Sequence, residues 1–255
     1  VDVSHPDLKA NMWVNEGEIW KSHEDNDGNG YAGDVHGYNF VSKHGVISTD
    51  SRYDTGHGTH VAGVIAAVNN NGVGISSIAG GDGSESGVKI MSCQIFSGLY
   101  AGTVLEEVRA IKYAADNGAC IAQCSFGFDS SFFDCDDAYI ANMPLEYRAI
   151  KYFVNPSLAN HPAIKSNIIV FAAGNDGGNL SCYPGALPQC ISVTALGADY
   201  LPAGYSNYGR GCNIAAPGGD LWIGAADEED NISQILSTCI SEVSSDYAWM
   251  QGSSM

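Results

Sequence analysis

The sequence predicts an α/β fold built on a mainly parallel sheet with helices on its faces. Two observations carry this. Short apolar, β-branched runs recur at 88–95, 119–125, 168–173 and 190–195. Between the first two lies 103–117, where Val104, Val108, Ile111, Tyr113 and Ala115 fall at helical spacing among Glu106, Glu107, Arg109 and Lys112. Strand, helix, strand in that order is the pattern of parallel neighbours joined by a crossover.

Each element has a local reason. Gly87 precedes the first run, whose apolar character predicts a buried strand. Gly118 stops the helix. Residues 59–68 form a small-residue helix candidate directly after a His-Gly pair. Residues 128–165 are polar, aromatic and loosely helical around 145–154, and read as a long surface insertion with a helix of its own. No internal repeat is visible.

The 255 residues suit one large domain or two small ones, and 45% hydrophobic against 16% charged residues is a globular composition. The 31 glycines predict many turns and close backbone approaches. A net charge of −18 argues against nucleic acid as a partner, because phosphates would be repelled. The acidity serves solubility, or holds cations, or both. No run reaches the roughly 18 apolar residues of a membrane span. No signal peptide is visible, and neither Val1 nor Met255 resembles a native terminus. The 8 cysteines are even in number, which hints at an oxidising compartment, and no CxxC suggests a thiolate zinc site. Cys182 and Cys190 flank a Pro-containing loop and are the first candidates for a disulfide; Cys93, in an apolar run, reads as a buried free thiol.

Three segments carry chemistry. Gly56-His57-Gly58-Thr59-His60-Val61-Ala62-Gly63 sets a histidine among small neighbours at a helix start, where it is either an accessible base or a packed side chain. Phe171-Ala172-Ala173-Gly174-Asn175-Asp176-Gly177 ends a strand on an Asn, whose amide can donate to a developing oxyanion or simply make a turn. Gly252-Ser253-Ser254-Met255 sets a Ser among small residues, where its own N–H can be a second oxyanion donor, or it is a frayed chain end.

Together, and in the order His, Asn, Ser, these segments resemble the subtilase family, the subtilisin-like serine peptidases. His57 to Gly63 is similar to the family's histidine motif, Ala172-Ala173-Gly174-Asn175 to its oxyanion segment, and Gly252-Ser253-Ser254-Met255 to the start of its serine motif. The resemblance covers the chain apart from 128–165. It implies a three-layer α/β/α sandwich and hydrolysis of internal peptide bonds through an acyl-enzyme. His57 would be the general base and Ser254 the nucleophile, with Asn175 sharing the oxyanion hole with the Ser254 N–H. The family's catalytic Asp stands in an Asp-Ser/Thr-Gly turn. Val1-Asp2-Val3-Ser4-His5-Pro6-Asp7-Leu8 resembles the stretch just after it, so that Asp is expected about three residues before Val1. Asp2 and Asp7 are not it, and the helix following Ser254 is expected beyond Met255. Residues 1–255 alone are therefore expected to be nearly inactive, since losing the orienting Asp costs about 10⁴ in rate.

The resemblance also implies substrate contacts. Ser125, Phe126 and Gly127 would pair with an extended peptide and line its first pocket, Ala172, Ala173 and Gly174 would form the opposite wall, and Ser97, Gly98, Leu99 and Tyr100 the second edge. Cys182 falls near the expected pocket floor, and Ala and Gly walls imply an apolar residue before the cut.

Calcium is the expected cofactor. Asp25, Asp27, Asn29 and Asp34 space side-chain oxygens through a glycine-rich loop, as hard-cation sites do, although His36 stands where an EF-hand has its closing Glu. An Asx-rich turn without an ion would read the same. By resemblance, Asp7 and the 68–75 loop form a second site through Val68, Asn71, Val73 and Ile75, while a plain helix-ending loop is the alternative. The family further implies an N-terminal prodomain, export to a secreted, periplasmic or cell-surface location, and a monomer. A peptide-binding pseudopeptidase is the main rival. A lipase would need Gly-x-Ser-x-Gly with His last in order, and a calcium-dependent adhesion module would leave His57 and Asn175 without a purpose.

Overall fold

The computed structural model describes residues 1–49, 54–82, 84–85, 87–98, 100–155, 166–221, 233–240 and 246–255. In chain order the elements are a 3₁₀ turn (Lys9–Asn11), β1 (Gly37–Asn39), α1 (His57–Ala66), β2 (Ser92–Gln94), β3 (Phe96–Ser97), β4 (Tyr100–Ala101) and α2 (Val104–Asp116). They continue with β5 (Ile121–Cys124), α3 (Asp136–Asn142), α4 (Pro144–Val154), β6 (Ile168–Ala172), β7 (Ile191–Leu196), β8 (Ile214–Pro217), β9 (Ile235–Thr238) and β10 (Tyr247–Met250). They fall into two compact units, Val1–Ala110 with Leu236–Ala248, and Ile111–Ile235 with Trp249–Met255.

In the first unit β1 and β2 pair in parallel, with Tyr38 opposite Cys93. The run at 88–95 is less of a strand than its apolar character predicts. Val88 is 45% exposed, and Ile90 is spent on an isolated bridge to Met12. Leu8, Met12 and Ala62 form a core on which Val1, Val3 and Ile90 pack. The predicted helix at 103–117 is α2, opened by the Glu106 carboxylate reaching back to accept the Thr103 N–H at 2.6 Å, one half of a capping box. Gly118 follows it with φ 86°, a conformation only glycine adopts freely.

α1 needs its small residues because it runs against β9. Ser237 Oγ donates to His60 O and Thr238 Oγ1 to Thr59 O, both at 2.7 Å. A Cβ at Gly63 would overlap both hydroxyls and lie 2.9 Å from Thr238 N.

The second unit holds the sheet that the sequence predicts. β5, β6, β7 and β8 lie side by side in that order, all parallel, with Cys124 opposite Phe171 and Val193 opposite Ile214. One face is core: Cys124, Ile169, Phe171 and Ser192 are buried. On the other face the first residues of all four strands, Ile121, Ile168, Ile191 and Ile214, are 61%, 43%, 38% and 59% exposed.

Within 128–165, the segment expected to be a surface insertion, α4 packs on β6 and buries Ala149, Ile150 and Phe153. A parallel pair cannot close through a hairpin, and α4 lies in the crossover that joins β5 to β6. Pro144 opens α4, where its missing N–H costs nothing. Upstream, Phe128, Phe133 and Tyr139 are ring neighbours, and Tyr139 stacks on Tyr183 at 5.0 Å. Residues 156–165 lie outside the described part.

All eight cysteines are free. Cys182 is therefore not bonded to Cys190; its Sγ instead lies 3.5 Å from Asn207 Nδ2 and 3.6 Å from Asp176 Oδ2. Cys93 is free as expected but half-buried rather than buried, and desolvation pushes its thiol up to about 12. No helix among the described residues is long and apolar enough to cross a membrane.

A mid-helix Gly→Ala change ordinarily gains about 1 kcal/mol of helix propensity. Gly63→Ala is expected to lose about 1–3 kcal/mol instead, because the methyl group must push α1 off β9. Urea denaturation of both proteins checks the sign.

Candidate active site

His57 stands at the first turn of α1, in the first unit. Gly56 precedes it with φ 72°, and the Asp54 carboxylate accepts the Gly56 N–H at 2.9 Å, so the chain turns sharply into the helix. Burial lowers the His57 imidazole below its ordinary range, and Asp54 works against that shift. Asp2 N–H donates to Thr59 Oγ1 at 2.9 Å, which lays the first residues along α1. The motif's second histidine has a different place: His60 is wholly buried, with Nε2 3.1 Å from Ala248 O.

Asn175 and Ser254 belong to the second unit, and the structure brings their surroundings together. β6 ends at Ala172, and Gly174, with φ 108°, turns the chain so that Asn175 is exposed. The Asn175 Oδ1 accepts both the Ser253 N–H and the Ser253 hydroxyl at 2.9 Å, and Gly174 N–H donates to Ser253 Oγ at 3.2 Å. With its oxygen engaged, the carboxamide presents Nδ2 with no acceptor among the described residues. Ser254 is tied to β5: its carbonyl accepts the Ser125 hydroxyl at 2.8 Å, and its own Oγ lies 3.5 Å from Ser125 O. Gln123 Nε2 donates to Ser125 Oγ at 2.7 Å. Ser254 sits in a turn closed by Met255 N–H on Gly252 O.

The two expected walls, Ser125 to Gly127 and Ala172 to Gly174, are laced together by Cys182 and Tyr183. Cys182 N–H donates to Ala173 O at 2.7 Å, and Phe128 N–H to Tyr183 O at 2.8 Å. A Cβ on Gly127 would lie 3.0 Å from Tyr183 O and 3.3 Å from Cys182 Cβ, so Cys182 adjoins both segments. Its thiol is pushed up to about 12, chiefly by burial, and stays neutral. The Phe126 ring meets Phe171 edge-on at 5.7 Å, which turns it into the core. In the first unit Ser97 and Tyr100 are partners in the antiparallel β3–β4 pair, with Gly98 at φ 59° in the turn. Leu99 lies outside the described residues.

The acidic loop gathers a different set from the one its spacing suggests. Glu18, Asp27 and Asp34 bring ligand oxygens within 4.8 Å of one another. Glu18 and Asp34 are 8% and 0% exposed. Asp25 stands outside that trio, its carboxylate taking the Gly28, Asn29 and Gly30 N–H groups. Asn29 spans the loop, donating from Nδ2 to Asp27 and Asp34. Glu18 escapes a sequence reading because it precedes the repetitive stretch. Crowded carboxylates, two of them buried, repel one another, and a hard divalent cation would relieve that, so the donor set fits calcium. At the second expected site, buried Asp7 accepts Asn71 Nδ2 at 2.8 Å and the Ile75 N–H at 3.0 Å. Val68 N–H donates to Asp7 O, and Val73 N–H to Asn71 Oδ1.

Comparison with known proteins accounts for this arrangement. Residues 1–255 match the Subtilase family throughout. The chain is 34% identical over 186 residues to a cell wall-associated protease of Bacillus subtilis, covering 72% of this chain and 17% of that protein. It is 31% identical over 218 residues to the halolysin of Haloferax mediterranei, covering 86% of this chain and 33% of that protein. The chain thus spans a third or less of these relatives' length. Among solved structures, a lanthipeptide protease superposes with a TM-score of 0.65 at 22% identity, over all of this chain and 66% of its own. The chain belongs to the subtilase family, and its α/β fold is the subtilisin fold.

Proposed function

We propose that the complete protein is a serine endopeptidase that works through an acyl-enzyme. The observation that carries this reading is the Asn175 carboxamide, whose oxygen is held by Ser253 so that its Nδ2 is left to donate next to Ser254. In the proposed reaction Ser254 Oγ attacks the scissile carbonyl and His57 takes its proton. The oxyanion then sits between Asn175 Nδ2 and the Ser254 N–H. An extended peptide would lie against Ser125 to Gly127, with Ser97, Gly98 and Tyr100 as the second edge, and its side chain would enter between the Ala and Gly walls above Cys182. A triad Asp a few residues upstream of Val1 completes the site, a reading supported by the Asp2 N–H on Thr59 Oγ1, which brings the first residues of the chain alongside α1. Calcium in the Glu18, Asp27 and Asp34 cluster, with a second ion near Asp7 and Asn71, would be structural. A location outside the cytoplasm agrees with the cell wall-associated relative. A prodomain and a monomeric state complete the proposal.

Three experiments test it. In the complete enzyme Asn175→Ala should lower kcat about 10²–10³-fold and leave KM within about twofold, because the donor acts only on the developing charge. A loss confined to KM would refute the oxyanion role, and a complete protein that binds peptides without cutting them would be a pseudopeptidase.

His57 in residues 1–255 should titrate below its usual value of about 6.5 by NMR, since burial disfavours the cation. The unfolded chain then holds that proton more readily, so this group's contribution to stability is fully present above about pH 6.5 and is lost as pH falls from there through the lower folded value. Extending the chain to include the upstream Asp should raise the His57 value; no change on extension would remove that Asp from the triad.

Removing calcium with EDTA should lower Tm, and Glu18→Gln should reduce the rise seen on adding calcium back, since a ligand at about 100 times its Kd stabilises by about 2.7 kcal/mol. A Tm indifferent to calcium would remove both metal sites.

A further inference from the structure

The loop that presents Asn175 has no regular secondary structure, yet its backbone is pinned on both sides of Asn175 by one distant residue, whose main chain holds one side and whose side chain holds the other. Asn207 is wholly buried. Its Oδ1 accepts the Asp176 N–H at 2.9 Å and the Gly178 N–H at 3.0 Å. Its Nδ2 donates to Leu180 O at 3.1 Å, with Asp176 Oδ2 at 3.4 Å and Cys182 Sγ at 3.5 Å. Its own N–H donates to Gly174 O at 3.0 Å. Residues 174, 176, 178 and 180 are thus all bonded to Asn207, while 175 itself points outward. Gly174 could not be anything larger, because a Cβ there would collide with Cys182 Sγ and the Asn207 amide.

We propose that Asn207 is a positioning residue for the oxyanion hole: it stands in for a strand partner along 174–180 and so fixes where the Asn175 carboxamide begins. This rests on the reading of Asn175 as an oxyanion donor. Ser253 sets the rotation of that carboxamide, whereas Asn207 sets the backbone from which it springs. A donor displaced by a fraction of an ångström still binds substrate but meets the developing charge poorly, so the effect belongs in kcat.

The test is a double-mutant cycle in the full-length enzyme. Asn207→Asp keeps shape and Oδ1 but replaces the donor with an oxygen facing Leu180 O and Asp176 Oδ2. Alone it should lower kcat about tenfold or more with KM within about twofold. In an Asn175→Ala background the same change should cost less than about twofold, since the group it positions is gone. Equal losses in both backgrounds, a loss confined to KM, or no loss would each overturn the proposal. If Asn207→Asp does not fold, Asn207→Ser, which keeps one hydroxyl acceptor, enters the same cycle. Failure of both to fold would assign Asn207 to stability alone and end the proposal. If Asn175→Ala by itself leaves kcat unchanged, it is the oxyanion reading that fails, not the link to Asn207.

Discussion

Parallel pairing of β5 with β6 governs where everything else in the second unit must go. Parallel strands end at the same edge of a sheet, and the register sets Cys124 beside Phe171. Residues 125–127 and 173–175 therefore leave the sheet together, at the carboxyl edge where open α/β sheets present their ligands. Such an edge supplies position without rigidity, because the ladder bonds stop there. The fastening comes from further along the chain: Ser253 on Asn175, Ser125 on Ser254, Cys182 on Ala173. The sheet places these segments and the hydrogen bonds beyond it hold them in place.

What could be read in the sequence follows the strength of the local signal. α2, β5, β6 and β7 have long apolar periodicity or β-branched runs and emerge close to their predicted bounds. β8 is Ile-Ala-Ala-Pro, and β9 and β10 are equally short, so neither period nor composition marks them. The helix within 128–165 was legible, but its role was not: an amphipathic pattern reveals that a face is buried, not which strand it covers. His57, Asn175 and Ser254 became candidates through family resemblance rather than through any local signal of their own. The grip of Asn207 was invisible, because a lone Asn in a Tyr-Ser-Asn-Tyr stretch has no local feature that names a partner on another loop. Glu18 was missed for the same reason.

The acidity of the chain has a third use besides solubility and cation binding. Asp2, Asp82, Asp129 and Asp199 each accept the N–H of the residue two further on. At Asp82 the hydroxyl of Ser84 and the N–H groups of Ser84 and Glu85 hold the carboxyl down to about 2. A carboxylate that closes its own turn replaces a backbone partner in a chain rich in irregular structure. Part of the −18 charge is thus turn-building material rather than free surface charge.

The row formed by Ile121, Ile168, Ile191 and Ile214 bears on how this polypeptide can be handled. Alternation along each strand sends all four side chains to the same side; Ile121 lies beside Ile168, while Ile191 and Ile214 are each stepped two residues along, opposite Val170 and Val193, which join them into a diagonal oily strip. Sheets of parallel strands are normally covered on both sides. A recombinant polypeptide with these boundaries would carry that strip into the test tube, where self-association grows with concentration and with salt. Charged replacements at those four positions lie on the side away from Ile169 and Phe171, which makes them the natural place to begin engineering a soluble version.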